Sequence, residues 1–231
     1  MTDTISAGAR TVPAWPRRTF LRVSGAGAAA LVLATGCSSP APTPTADPNI
    51  ITLPAGDAGI ENYLYLLAQL QASFYQTVLT TPPADFVAAD LSYFTDLRDH
   101  EVIHREFYKY ALGTTPYLPV LTFTFASLTL TTRAGVLAGA QAFEELSTAA
   151  YAAILPAVSD ATLQGLMLKI ASVEARHAAL LRDLLSPGSF APDDVVDGNG
   201  QAVVLAPAAV ATALAPYLAP YTLSVANLPL T

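Results

Sequence analysis

Hydrophobic residues recur at alternating three- and four-residue intervals in four separate segments of this 231-residue chain. This spacing places them along one side of an α-helix and is typical of helices that pack into a bundle. Prolines and glycines between the segments supply the helix ends. The pattern predicts an all-α, up-down four-helix bundle, whose buried faces run through residues 60–78, 94–111, 137–154 and 163–184.

The segment between the second and third predicted helices is long and has the composition of a strand. Residues 114–132 are rich in Thr, Leu and Phe, but we interpret them as a crossover that joins the two halves of a bundle occupying residues 56–188. A C-terminal extension, residues 189–231, follows the bundle. Its alanine-rich stretch, Pro207–Leu218, is expected to form a short helix.

The first 37 residues have the layout of an export signal. The stretch "RRTFLR", which contains Arg17 and Arg18, resembles a twin-arginine signal, and the apolar run after it is too short to span a membrane. The run ends in "LATGC", which resembles the lipobox of lipoproteins, so we expect lipid on Cys37. The alternative is an ordinary cleaved signal with an incidental cysteine. Residues 38–55, rich in Pro and Thr, are then expected to be a tether.

Charge and cysteine content narrow the range of partners. The chain has 11 basic and 18 acidic residues, and four of the basic residues but only one of the acidic ones precede Cys37. So acidic a domain has no electrostatic basis for binding nucleic acid and is repelled by anionic lipid. We therefore expect an extracytoplasmic protein that is held to the bacterial cell envelope by its lipid alone. Because Cys37 is the only cysteine, the mature domain has no disulfide or thiolate metal site. The sequence leaves open whether copies of the chain self-associate.

Ionisable residues interrupt the apolar faces of three predicted helices near their middles. The second helix carries Glu101-x-x-His104, the third carries Glu144, and the fourth carries Glu174-x-x-His177. Each Glu-x-x-His places two side chains on one face, within reach of a single ion. Because buried charges are costly unless they are paired or bind a cation, the pattern predicts a metal site. Carboxylate and imidazole ligands suit iron or manganese. The alternative, solvated surface residues, leaves the doubled motif unexplained.

A second metal hypothesis uses His100. Together with Glu101 and His104 it forms a His-Glu-x-x-His, the zinc-binding motif of metalloproteases. That hypothesis leaves the second Glu-x-x-His without a role, and no strand system precedes the helix. We therefore expect His100 to lie beside the metal site or on the helix surface.

Three stretches resemble a known family. "RDHEVIHREFYKYALG", "AFEELSTAAYAAIL" and "ASVEARHAALLRDLL" are similar to helices two, three and four of the ferritin-like domain proteins, which include plant desiccation-related proteins and exported bacterial proteins. The resemblance covers about residues 60–185. It implies a ferritin-like bundle with a carboxylate-bridged iron centre, and it assigns metal-ligand roles to Glu101, His104, Glu144, Glu174 and His177.

The first helix departs from the family pattern. In "LAQLQASFY", residues 67–75, Ala68 and Gln71 stand where the family has glutamates. We expect Ala68 to mark the missing sixth ligand, with Gln71 offering only a neutral oxygen nearby. The resemblance also implies that Tyr75 and Tyr151 hydrogen-bond to the ligating carboxylates.

Two functions remain open at this point. The first is a di-iron or single-metal site with oxidase or iron-handling activity. The second is a non-catalytic ferritin-like scaffold, related to stress or desiccation, that has lost its metal.

The lipid anchor leads to a direct prediction. Replacing Cys37 with Ser removes the thiol that would accept the lipid, so the protein should move from the membrane fraction to the soluble fraction. Cell fractionation and immunoblotting measure this. A Cys37→Ser protein that stays with the membrane would contradict the anchor, and a Ser38→Ala protein is the matched control.

Overall fold

Two helical hairpins form the bundle that the hydrophobic pattern predicts. The structure is a computed structural model that describes residues 47–113 and 118–229. Short connections join α1 (Gly56–Thr80) to α2 (Ala88–Leu112), and α3 (Arg133–Ile154) to α4 (Ala161–Leu185). α1 packs along α2, α3 packs along α4, and α1 also contacts α3. The all-α bundle fold is thus confirmed.

Local chemistry fixes where the helices begin and end. The Asp160 carboxylate accepts two backbone amides in the first turn of α4, at 2.8 and 3.0 Å, and the Thr132 hydroxyl caps α3 in the same way. These amides have no partner within the helix, so such caps stabilise its first turn. α2 ends at Gly113, whose φ of 56° is one that glycine adopts without strain. None of the helices in the described part combines the length and apolar character that crossing a bilayer requires.

α1 is the most deeply buried helix because it is covered on more than one side. The Phe74 ring makes edge-to-face contacts with Phe143 of α3, at a centroid distance of 5.1 Å, and with Phe125 of the crossover, at 5.4 Å. Such aromatic pairs are stabilising beyond the area they bury. This packing holds the middle of α1 against the interior of the bundle.

The crossover is an extended coil laid along α1. The backbone amide of Leu118 donates to the side-chain oxygen of Asn62 (2.8 Å), and that of Leu121 donates to Gln69 (2.9 Å). Residues 118–132 contain no strand, in agreement with the crossover interpretation. The amides find their acceptors on helix side chains rather than on a neighbouring strand, so a strand-like composition does not produce a strand here.

The C-terminal extension folds back over the bundle. Helix α5 (Pro207–Leu218) contacts α3, and the Tyr217 ring packs on Phe143 at a centroid distance of 4.9 Å. After α5, strand β2 (Thr222–Ser224) pairs in parallel with strand β1 (Ile50–Thr52). The extension therefore belongs to the folded domain.

The N-terminal boundary of the domain lies earlier than we predicted. β1 and the fully buried Leu53 fall within residues 38–55, which the sequence assigned to the tether. The boundary was misplaced because the partner of β1 lies about 170 residues away in the chain. The export signal, Arg17, Arg18, Cys37 and residues 38–46 lie outside the described residues.

Two helical glycines provide a matched test of this packing. A Cβ atom at Gly59 would lie 1.9 Å from the carbonyl oxygen of Pro54, whereas one at Gly165 would have no neighbour within 4 Å. Gly59→Ala should therefore destabilise the protein by about 1–3 kcal/mol through overpacking. Gly165→Ala should stabilise it by up to about 1 kcal/mol, because alanine favours the helix. Urea unfolding of both variants measures this, and equal effects would contradict the close approach of residue 54 to α1.

Candidate metal centre

Five ionisable side chains from three helices meet inside the bundle. α2 contributes Glu101 and His104, α3 contributes Glu144, and α4 contributes Glu174 and His177. All five are buried, with exposed fractions between 0% and 6%. The sequence predicted these five residues as metal ligands, and the fold brings them together.

The carboxylates and the histidines face one another across the interior. Nδ1 of His104 lies 3.3 Å from Oε1 of Glu101 and 3.1 Å from Oε1 of Glu174. Nδ1 of His177 lies 3.3 Å from the same oxygen of Glu101 and 3.4 Å from Oε2 of Glu144. Glu101 therefore lies between the two imidazoles.

The most compact part of the cluster contains four of the five residues. One ligand atom from each of Glu101, Glu144, Glu174 and His177 lies within 4.8 Å of all the others. His104 is outside this set, although it contacts two of the carboxylates. The cluster is thus asymmetric, with its tighter part on the His177 side.

Several polar atoms in the cluster are buried without a hydrogen-bond partner among the described residues. They are both carboxylate oxygens of Glu101 and the Nδ1 atoms of His104 and His177. Although these atoms lie close to one another, their angles are not those of hydrogen bonds. Leaving such atoms unsatisfied in the interior is costly, and a cation among them would satisfy all four. The donor set therefore fits a transition-metal ion.

The first helix reaches the cluster through Gln71 and Tyr75. Nε2 of Gln71 donates to Oε2 of Glu144 (2.9 Å) and to Oε2 of Glu174 (3.2 Å). The Tyr75 hydroxyl donates to Oε1 of Glu144 (2.5 Å). The expectation that Ala68 marks the missing ligand needs correction, because the side chain that meets the carboxylates is Gln71, one helical turn further along. The hydrogen-bonding role expected of Tyr75 is present.

Tyr151 has a different partner from the one expected. Its hydroxyl lies 2.5 Å from that of Tyr108, and both rings are buried. No hydrogen bond joins Tyr151 to a carboxylate of the cluster among the described residues. Tyr108 was missed as its partner, although its position four residues after His104 places it on the same face of α2.

His100 joins the cluster from outside. Its Nδ1 lies 3.0 Å from Nε2 of His177, and the two imidazole planes are parallel to within 1°. His104, meanwhile, faces Glu101 and Glu174. The two histidines of the His-Glu-x-x-His therefore contact different partners, and the metalloprotease arrangement is not formed.

The electrostatics of the cluster are those of a site that holds protons in the absence of a cation. Burial lowers the pKa of His104, but its carboxylate neighbours outweigh burial and raise that pKa to about 10. The same balance raises the pKa of His177 to about 10. Burial and the nearby Glu101 raise the pKa of Glu144. Burial opposes ionisation of Glu174 too, but His104 lowers its pKa. At neutral pH two imidazolium ions thus balance the buried carboxylates, and a metal ion must displace their protons.

Comparison with models of known protein families gives a match to the ferritin-like domain over residues 56–187. The matched region runs from the first residue of α1 to just beyond α4 and contains every residue of the cluster. A search of curated protein sequences finds no match.

Proposed function

This chain belongs to the ferritin-like domain family, and from that premise we propose that it binds iron, or a similar transition-metal ion such as manganese, in the interior of its bundle. The ligands are Glu101, His104, Glu144, Glu174 and His177. The observation that carries the proposal is the convergence of four buried polar atoms without hydrogen-bond partners among the described residues. These are carboxylate and imidazole atoms, which such ions prefer.

The chain's own residues support this role by orienting ligands and excluding water. Tyr75 and Gln71 hold the two oxygens of Glu144 in place. The rings of Phe74 and Phe94 pack edge to face against Tyr75, with centroids 5.5 and 5.4 Å away, and close the interior to solvent. A bound iron ion would supply one-electron redox chemistry toward oxygen or peroxide. We therefore propose an oxidase or iron-handling activity.

The charge of the cluster favours one ion over two. Three carboxylates and two neutral imidazoles carry three negative charges, so one divalent ion leaves a net charge of −1 and two leave +1. The amide of Gln71 and the hydroxyl of Tyr75 donate to the carboxylates and stabilise the negative excess, whereas no further anion faces the cluster among the described residues to stabilise the positive one. Gln71 contributes no charge where a carboxylate would balance the second ion. Because an unbalanced charge is costly in a buried site, the second ion binds more weakly.

A non-catalytic scaffold is the second candidate function, and the contacts of Gln71 favour it. Its amide donates to one oxygen of each of two carboxylates, Glu144 and Glu174, and so partly compensates their charge without a cation. Together with the two imidazolium ions, it holds the cluster in place without metal. A bundle of this kind would act as a stress- or desiccation-related surface protein.

We also propose that the domain is exported and anchored by lipid at Cys37. The twin-arginine-like signal and the lipobox-like "LATGC" support this proposal. Since the twin-arginine route carries folded proteins, metal could be loaded before export. The acidic domain itself would contact neither nucleic acid nor anionic lipid.

Removing a ligand tests metal binding. Glu144→Ala and His177→Ala should each lower iron affinity by at least about tenfold. Loss of a ligand's hydrogen-bond partner already weakens metal binding by about this factor, and loss of the ligand itself weakens it more. Helical content should be retained. Elemental analysis and circular dichroism of the purified domain, residues 47–231, measure the two quantities.

Glu145 provides the matched control for this test. It follows Glu144 directly but pairs with Arg182 on the outer side of α3. Glu145→Ala should therefore leave iron affinity unchanged. A wild-type domain without iron, manganese or zinc after anaerobic reconstitution would instead favour the scaffold.

Restoring a carboxylate on α1 tests the one-ion proposal. Gln71→Glu should raise iron occupancy toward two ions per chain, because the new carboxylate supplies the charge that a second ion requires. Without metal it should cost about 1–3 kcal/mol, since a third carboxylate would then lie against Glu144 and Glu174. Metal stoichiometry and melting temperature with and without iron measure both effects.

Ala68→Glu is the contrasting variant, one helical turn away. It should raise occupancy less than Gln71→Glu, because residue 71 is the one whose side chain meets the carboxylates. Equal occupancy in both variants and the wild type would contradict the placement of residue 71 at the metal centre.

A further inference from the structure

His100 approaches the imidazole of His177, a proposed metal ligand, from its outer side. It lies on α2, one residue before Glu101, and is exposed to solvent. Its partner His177 lies on α4 and is 6% exposed. The contact between Nδ1 of His100 and Nε2 of His177 (3.0 Å) therefore joins two helices at the edge of the site.

We propose that His100 is a positioning residue: its Nδ1 accepts the Nε2 proton of His177 and so holds the His177 ring with Nδ1 toward Glu101 and Glu144. The inference rests on the proposed metal-binding function, since it names the residue that orients one of the ligands. Metal-ligating histidines characteristically donate their second ring N–H to a fixed acceptor, which sets both tautomer and ring orientation.

The direction of this hydrogen bond follows from the two ends of the His177 ring. Its Nδ1 lies 3.3 Å from Glu101 and 3.4 Å from Glu144, so Nδ1 is the atom that can bind the ion. A neutral imidazole that offers one nitrogen to a metal carries its proton on the other. Nε2 of His177 is therefore the donor and Nδ1 of His100 the acceptor. The near-coplanar rings, parallel to within 1°, suit an in-plane hydrogen bond between ring nitrogens.

The contact between His100 and His177 is one of several hydrogen bonds that orient ligands on the His177 side of the cluster. Glu144 is held by Tyr75 and Gln71 from α1, and His177 is held by His100 from α2. The same part contains the compact set of ligand atoms that excludes His104. The polar contacts of His104 among the described residues are with the cluster carboxylates themselves. We therefore place the single ion at this preorganised side, among Glu101, Glu144, Glu174 and His177.

Two variants of nearly equal shape isolate the acceptor atom. In His100→Asn the side-chain oxygen can take the place of Nδ1, because both atoms stand two bonds from Cβ. His100→Leu has a methyl group there and accepts nothing. Co²⁺ is the probe, since its visible absorption reports the ligand geometry. We expect His100→Leu to bind Co²⁺ about 10–100-fold more weakly than wild type and to change its visible spectrum. His100→Asn should restore the wild-type affinity and spectrum.

Equal Co²⁺ affinity and spectra in the wild type and His100→Leu would overturn the inference, and so would a His100→Asn protein that behaves like His100→Leu. Thermal unfolding of the metal-free variants separates a loss of folding from a loss of orientation: all three proteins should melt at similar temperatures, because residue 100 is exposed.

A metal-free measurement keeps this inference distinct from the proposed function. In protein with ¹⁵N-labelled histidine, the Nε2 proton of His177 should exchange slowly in the wild type and in His100→Asn, but rapidly in His100→Leu. Rapid exchange in the wild type would overturn the positioning role even if metal binds. If the wild type binds no Co²⁺ while the proton is protected, metal binding fails and the orientation of His177 by His100 stands.

Discussion

The burial of three carboxylates within one bundle interior is the constraint on which the rest of the site depends. Glu101, Glu144 and Glu174 are at most 1% exposed and lie within a few ångströms of one another. Like charges that share a poorly solvated space repel strongly, and they persist only if cations or hydrogen-bond donors compensate them. Each polar contact in the cluster supplies such compensation. The two imidazoles, the Gln71 amide and the Tyr75 hydroxyl all face carboxylate oxygens, and the aromatic core excludes the water that would otherwise do so.

The same constraint explains why α1 is important for the cluster although it contributes no carboxylate to it. α1 is fixed from outside by the crossover and from inside by aromatic packing. This packing places Gln71 beside the two carboxylates to which it donates. A glutamate there would add a fourth charge to the interior, whereas the amide adds two donors. The amide therefore compensates Glu144 and Glu174 without adding a charge to the interior.

Much of this organisation follows from local patterns in the sequence, and the remainder depends on distant contacts. The three- and four-residue periodicity predicts the helices because burial on one face is a local property. The two Glu-x-x-His motifs predict which residues meet inside the bundle for the same reason. By contrast, Ala68 and Gln71 share one face of α1, and only the axial offset between packed helices decides which of them meets the carboxylates. The pairing of Tyr151 with Tyr108 and that of His177 with His100 likewise join different helices, as β1 joins the two ends of the domain.

Metal binding and metal-free stability are therefore two outcomes of one charge balance. Without metal, imidazolium ions compensate the carboxylates, which in turn raise the pKa values of His104 and His177. A metal ion must displace those protons, so its affinity is the free-energy difference between the metal-bound and the protonated cluster. Gln71 lowers the free energy gained on metal binding, because it donates to Glu144 and Glu174 whether or not an ion is bound. In the proposed site, His100 and Tyr75 raise it, because they hold His177 and Glu144 in the orientation that an ion requires. In the metal site that we propose, occupancy thus depends on how well the neighbours orient the ligands as well as on the number of ligands.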